Sequence, residues 1–119
     1  MASSLNLRRD FSRYDTDVSV TLTSLTLRMS VRMLSVSAGG ALVRLDRLTA
    51  TLFEDDTFYL EILGVGRFPT IRKWRRDTDI GAKFELTEGD RNRLADRLEG
   101  RFAHRVPPRL QQVMPSLLY

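Results

Sequence analysis

The sequence predicts an all-β domain, a small antiparallel barrel or sandwich, followed by one amphipathic helix. Short segments alternate apolar and polar residues, and turns rich in Gly or Asp separate them. Near the C-terminus the apolar spacing changes from the strand period to the helix period. With 119 residues, 42% of them hydrophobic, the chain has the size of a single domain with its own core.

The strands are predicted from period-two alternation and from short apolar runs. Val18, Val20 and Leu22 share one face of the first predicted strand. The second carries apolar residues at every other position from Leu25 to Met33. Five further strands are predicted, around Ala41–Val43, Leu48–Leu52, Phe58–Ile62, Phe68–Trp74 and Ile80–Phe84. The count is therefore six or seven strands, with no helix between them.

The helix is predicted from a capping pair and an apolar stripe. Thr87 is followed three residues later by Asp90, as in a capping box. Leu94, Leu98 and Phe102 then repeat at helical spacing, and prolines at 107 and 108 end the helix. These patterns predict three segments of one domain: an arm over 1–16, a barrel over 17–86, and a helix with its tail over 87–119.

The tail has an apolar stripe of its own, which Pro115 interrupts. The stripe consists of Leu110, Val113, Met114, Leu117 and Leu118. It either packs on its own barrel or contacts a second chain, as in a homodimer, and both readings stay open.

Composition gives weak support to catalysis. The chain has no cysteine, which removes disulfides and thiolate chemistry, and a lone His104 is a poor metal ligand. The pairs Asp55-Asp56 and Asp77/Asp79 lie in predicted turns, where Asp bonds local backbone. No long apolar run or secretory signal is present. We therefore expect no enzyme activity, no metal, no cofactor, no membrane contact and a cytoplasmic location.

A basic run, residues 72–76, surrounds the single tryptophan, Trp74. Such a run binds nucleic acid by stacking and phosphate contact, or it forms a strand whose Trp faces the core and whose charges face water. The acidic residues mixed through the rest of the chain favour the second reading, so nucleic acid is not the expected partner.

Two segments together predict a ligand site. Arg8, Arg9 and Arg13 precede the first strand and offer planar forks of donors for phosphate or guanine. Ser37 offers a hydroxyl, and the pair Gly39-Gly40 offers backbone N–H groups for phosphate oxygens. A barrel that brings both segments to one rim fits a ligand with purine and phosphate groups.

These residues resemble the PilZ domain family, the bacterial receptor domains for cyclic di-GMP. The family's Arg-x-x-x-Arg element is similar to Arg9–Arg13, preceded by Arg8. Its Asp/Asn-x-Ser-x-x-Gly element is similar to residues 35–40, followed by a short apolar strand. Trp74 and the segment Ile80–Phe84 resemble the family's closing strands, so the resemblance spans about 8 to 101.

The resemblance implies a six-stranded antiparallel barrel with a C-terminal helix and cyclic di-GMP as ligand. Arg9 and Arg13, with Arg8, would clasp guanine and phosphate groups, while Ser37 and Gly40 would line the other side. Ser35 departs from the family's Asp or Asn, which hydrogen-bonds a guanine edge. Losing one charge-assisted hydrogen bond there costs roughly 1.5–3 kcal/mol. The implied function is signal transfer to a protein partner; the alternative is a degenerate PilZ module that binds proteins without nucleotide.

Overall fold

The computed structural model describes residues 11–103, and these form a closed antiparallel barrel of six strands with two helices. The strands follow each other around the barrel in the order β1, β2, β3, β6, β5, β4. The elements in chain order are β1 Tyr14–Thr23, β2 Arg28–Ser37, β3 Gly40–Arg44, α1 Arg47–Leu52, β4 Thr57–Ile62, β5 Gly66–Arg76, β6 Asp79–Phe84 and α2 Glu88–Phe102. The fold class inferred from the sequence is confirmed.

The core lies inside the barrel and is filled by the inward face of every strand. Alternate apolar positions are buried, as period two requires. The most completely buried of these side chains are Leu22, Met33, Val36, Val43, Leu60, Ile62, Ile80 and Phe84. Because side chains fill the interior, a ligand of any size has to bind on the outer surface.

Residues 47–52 form the helix α1, so the strand predicted from Leu48, Ala50 and Leu52 is wrong, as is the expectation of no helix between strands. Asp46 caps the helix, because its carboxylate accepts from the Thr49 N–H at 2.8 Å and from the Thr49 hydroxyl at 2.7 Å. Ala50 faces the core, while Leu48 and Leu52 are exposed.

Helix α2 follows the sequence prediction. Thr87 is its N-cap and accepts from the Asp90 N–H at 3.1 Å. Leu94, Leu98 and Phe102 are buried, and the Phe102 ring lies 6.5 Å from that of Tyr14 at the start of β1. The helix therefore covers one end of the barrel, and α1 covers the other. No helix of the described residues is long and apolar enough to cross a membrane.

Two predicted boundaries differ from the observed ones. β1 begins at Tyr14, before the expected start at 17, because Tyr14 and Asp15 already pair with Val36 and Ser35. β2 begins only at Arg28, so the fully exposed Leu25 belongs to the turn before it. Arg8, Arg9 and the tail over 108–119 lie outside the described residues.

Candidate ligand-binding site

A single row of paired residues crosses five neighbouring strands on the outer face of the barrel. Asp15 on β1 pairs with Ser35 on β2, and Ser35 pairs with Leu42 on β3. Leu42 in turn pairs with Gly81 on β6, and Gly81 pairs with Trp74 on β5. Residues that pair across antiparallel strands share one face of the sheet, so this row forms a continuous surface.

A β-bulge places Ser35 in this row. Val31 and Met33 are buried, and strict alternation would turn Ser35 inward after them. Met33 pairs with Val43 but Ser35 pairs with Leu42, so β2 holds one extra residue, Leu34, between them. The following inward position passes to Val36, which is completely buried.

A second β-bulge, on β5, places Trp74 in the same row. Phe68 and Thr70 are buried, which by alternation would turn position 74 inward. Arg72 pairs with Ala82 and Trp74 with Gly81, so Lys73 is the extra residue on β5. The expectation that Trp74 faces the core is therefore wrong: its side chain lies outside, 49% exposed.

The indole of Trp74 lies flat over β6 because Gly81 has no side chain. A Cβ at position 81 would come within 2.1 Å of the indole Nε1 and Cε2 atoms. Next to this ring is a surface cavity of about 260 Å³. Its lining residues are Arg13, Ser35, Ala41, Leu42, Lys73, Trp74, Gly81 and Ala82.

Arg13 and Ser35, two residues predicted for the site, meet at this cavity. The Arg13 Nη1 atom donates to the Ser35 hydroxyl at 2.8 Å, which joins the end of the N-terminal arm to β2. Ser35 itself is only 8% exposed. The structure thus brings the two predicted halves of the site together at this point.

The two cations that line this cavity, Arg13 and Lys73, have no carboxylate partner in the part of the chain that the structure describes. Five ion pairs occur among residues 11–103, and neither Arg13 nor Lys73 takes part in one. Arg44, next to the site on β3, donates to the carboxylate of Asp79 at 2.7 Å, and this hydrogen bond lowers the pKa of Asp79. The cavity therefore carries two positive charges that take part in no ion pair among the described residues, which favours an anionic ligand.

Ser37, Gly39 and Gly40 lie at the adjacent β2–β3 turn, where Ser37 pairs with Gly40. The Gly39 N–H donates to the Ser37 hydroxyl at 3.2 Å, so this donor has a partner within the chain. Neither glycine has a positive φ. Gly40 is required for close packing instead, because a Cβ there would lie 2.0 Å from the Ala82 carbonyl oxygen.

The basic run around Trp74 faces two directions. Arg72 pairs with Asp56, and the Arg75 guanidinium donates to the carbonyl oxygens of Phe53 and Ala50 at the end of α1. These two arginines hold the segment after α1 and anchor both sides of the bulge at Lys73. Lys73 is exposed, with Trp74 beside it, so part of the run is structural and the rest belongs to the cavity.

Sequence reasoning missed Lys73, Trp74, Leu42 and Gly81 as lining residues of the cavity. The basic run and the glycine in the closing strand were visible signals, but their meaning depends on a bulge. Among the described residues, no group of three or more His, Asp or Glu side chains is arranged to hold a metal ion.

The described residues thus form a small closed barrel of six strands, with a cavity on its outer face and a helix at its C-terminal end. The family model of the PilZ domain matches residues 7–100. The chain therefore belongs to the PilZ domain family. No curated protein sequence matches it at a significant level.

Solved PilZ structures share the fold at low sequence identity. The PilZ domain of CeSA from a cellulose-synthesising bacterium has a TM-score of 0.58 and 13% identity, covering 73% of this chain and 93% of that one. The PilZ domain of YcgR from Escherichia coli, solved with c-di-GMP, has a TM-score of 0.55 and 14% identity, covering 79% and 93%. PlzA of Borreliella burgdorferi, in complex with c-di-GMP, has a TM-score of 0.55 and 13% identity, covering 80% and 45%.

Proposed function

We propose that this chain is a non-enzymatic receptor for cyclic di-GMP that passes the signal to a protein partner. The observation that carries the proposal is the meeting of Arg13 and Ser35, 22 residues apart in sequence, at a cavity that also contains Lys73 and Trp74. Membership of the PilZ family and the two c-di-GMP-bound relatives support this choice of ligand.

The groups at the cavity match the parts of a cyclic dinucleotide. The planar fork of Arg13 suits a phosphate or the O6 and N7 atoms of guanine, and Lys73 adds a point charge for phosphate. The half-exposed indole of Trp74 offers a face for a purine. Stacking of a base on an aromatic side chain contributes about 1–3 kcal/mol.

The cavity itself holds only part of such a ligand. Its volume of about 260 Å³ lies below the usual range for small-molecule sites, roughly 300–1,000 Å³. Arg8 and Arg9 shortly precede Arg13 in the chain and would cover the exposed part of the bound dinucleotide. Closure of these residues over the ligand would create a surface that exists only in the bound state, and we propose that the protein partner recognises it.

Isothermal titration calorimetry with cyclic di-GMP tests the proposal. Arg13→Ala is expected to weaken binding about ten- to a hundredfold, because a charge-assisted contact is lost. Arg28→Ala is the matched control: Arg28 is exposed at the start of β2 and lines a different cavity with Glu61 and Arg67. Its removal changes the net charge equally and should leave the affinity almost unchanged.

Absence of heat at high micromolar cyclic di-GMP would overturn the proposal and favour the alternative, a PilZ module that binds proteins without nucleotide. If Arg13→Ala and Arg28→Ala reduced the affinity for cyclic di-GMP equally, the overall charge of the protein, rather than the cavity, would attract the ligand.

A further inference from the structure

The polar side chains that line the cavity around Arg13 are almost purely hydrogen-bond donors. Arg13 and Lys73 carry only N–H groups. Ser35 supplies the one side-chain oxygen among the described lining residues, and that oxygen already accepts from Arg13 at 2.8 Å. No carboxylate or side-chain amide of the described residues lines the cavity.

Nearby acidic side chains are bonded elsewhere or lie beside the cavity. Asp79 is held by Arg44, and Asp17 by Arg32 at 2.8 Å. Asp15 is the neighbour of Ser35 on β1, but it lies on the side of Ser35 away from Leu42 and does not line the cavity.

A surface whose side chains are mainly hydrogen-bond donors distinguishes between the edges of a guanine base. Phosphate oxygens and the O6 and N7 atoms of guanine are acceptors, so Arg13 and Lys73 can bind them. The N1–H and the 2-amino group of guanine are donors, and recognition of either requires an acceptor on the protein. The Ser35 hydroxyl, with one of its two lone pairs already used by Arg13, keeps one lone pair and its own proton, and it is a weaker acceptor than a carboxylate.

We infer that the site binds cyclic di-GMP without reading the 2-amino group of guanine, and that Ser35 is the residue that sets this tolerance. The inference rests on the proposed function, since it concerns the same cavity. It makes the receptor selective for the phosphodiester ring and the O6/N7 edge of its bases, and indifferent to the group that distinguishes guanine from hypoxanthine.

Cyclic di-IMP tests this directly, because it keeps the phosphates, O6, N7 and N1–H of cyclic di-GMP and lacks only the 2-amino group. In a competition assay, each ligand displaces a fluorescent cyclic di-GMP from the full chain. The affinities of the wild type for the two ligands are expected to differ by no more than about threefold, which is less than one hydrogen bond contributes.

Ser35→Asp introduces a carboxylate acceptor at the same place and should create a preference for cyclic di-GMP of about tenfold or more. Ser35→Ala is the matched control, because it removes the hydroxyl without adding an acceptor. Its affinity ratio between the two ligands should stay at the wild-type value even if both affinities fall.

A wild-type preference for cyclic di-GMP of about tenfold or more would overturn the inference while leaving the proposed function intact. If Asp15→Asn then abolished that preference, Asp15 would be the acceptor. Failure of both ligands to compete would overturn the proposed function, and the inference with it. An unchanged ratio in Ser35→Asp would show that Ser35 does not set selectivity.

Discussion

Two glycines on neighbouring strands, Gly40 and Gly81, test how the outer face of the site is packed. A methyl group at position 40 would lie 2.0 Å from the carbonyl oxygen of Ala82, which is backbone of the paired strand β6. A methyl group at position 81 would lie 2.1 Å from the outer atoms of the Trp74 indole. The Ala82 carbonyl is held in the sheet and cannot move away, whereas the Trp74 indole can move into solvent.

The two Gly→Ala substitutions should therefore have different effects. Gly40→Ala is expected to lower the free energy of unfolding by about 1–3 kcal/mol, because β3 and β6 must separate to fit the methyl group. Gly81→Ala should change it by less than about 1 kcal/mol, since only a surface ring shifts. It should nevertheless weaken ligand binding, because the indole leaves the wall of the cavity.

Urea unfolding followed by circular dichroism measures the stability of each variant. Trp74 is the only tryptophan, so its fluorescence reports separately on the site. Gly39→Ala is the control: its nearest contact would be the Ser37 hydroxyl at 3.6 Å. That variant should be as stable as the wild type or more stable by about 0.4–1 kcal/mol. A Gly40→Ala variant as stable as Gly39→Ala would refute this reasoning, and so would unchanged Trp74 emission in Gly81→Ala.

Four further outcomes are expected. Ser35→Asp should bind cyclic di-GMP as tightly as the wild type or more tightly, and a marked loss by calorimetry would contradict the assignment of that position. Cyclic di-GMP should shift the emission of Trp74, and titration without a spectral change would place the ligand elsewhere. Deleting Lys73 removes the bulge and should turn Trp74 inward, with loss of both ligand binding and cooperative unfolding by circular dichroism. Hydrogen bonds lower the pKa of Asp46 and Asp79 below the ordinary 3.8, so their stabilising effect is complete above that pH and is lost as the pH falls through their lower folded-state values. Urea midpoints that stay level as the pH falls well below 3.8 would contradict this assignment.

The strands and the last helix were predictable because their patterns extend over many residues. The alternation from Leu27 to Met33 and the stripe of Leu94, Leu98 and Phe102 match the observed burial, whereas Leu25 is exposed. The helix α1 was not predictable, because Leu48, Ala50 and Leu52 alternate over only five residues, and of the three only Ala50 is buried. What decides the local structure is the cap at Asp46, which uses the Thr49 N–H and hydroxyl together.

Of the residues that line the cavity, the sequence indicated Arg13 and Ser35 but not Lys73 or Trp74. Arg13 was chosen by residue type and Ser35 from the resemblance to the PilZ motif, and the two meet in a hydrogen bond of 2.8 Å. Trp74 was assigned to the core by the favoured alternative, because acidic residues are mixed through the rest of the chain. The bulge at Lys73 is defined by how β5 pairs with β6. It could not be predicted from the pattern of β5 alone, because the register depends on both strands.

The two bulges explain why a filled barrel can carry a site on its wall. In a regular strand the outward positions are fixed by the inward ones, so the core would dictate which residues reach the surface. The extra residues Leu34 and Lys73 shift the alternation, so that the outward positions after them no longer depend on the inward positions before them. As a result, Ser35 and Trp74 lie in one row on either side of Leu42 and Gly81. The site therefore depends on strand register more than on loop conformation. Single-residue deletions within β2 or β5 should therefore remove the site.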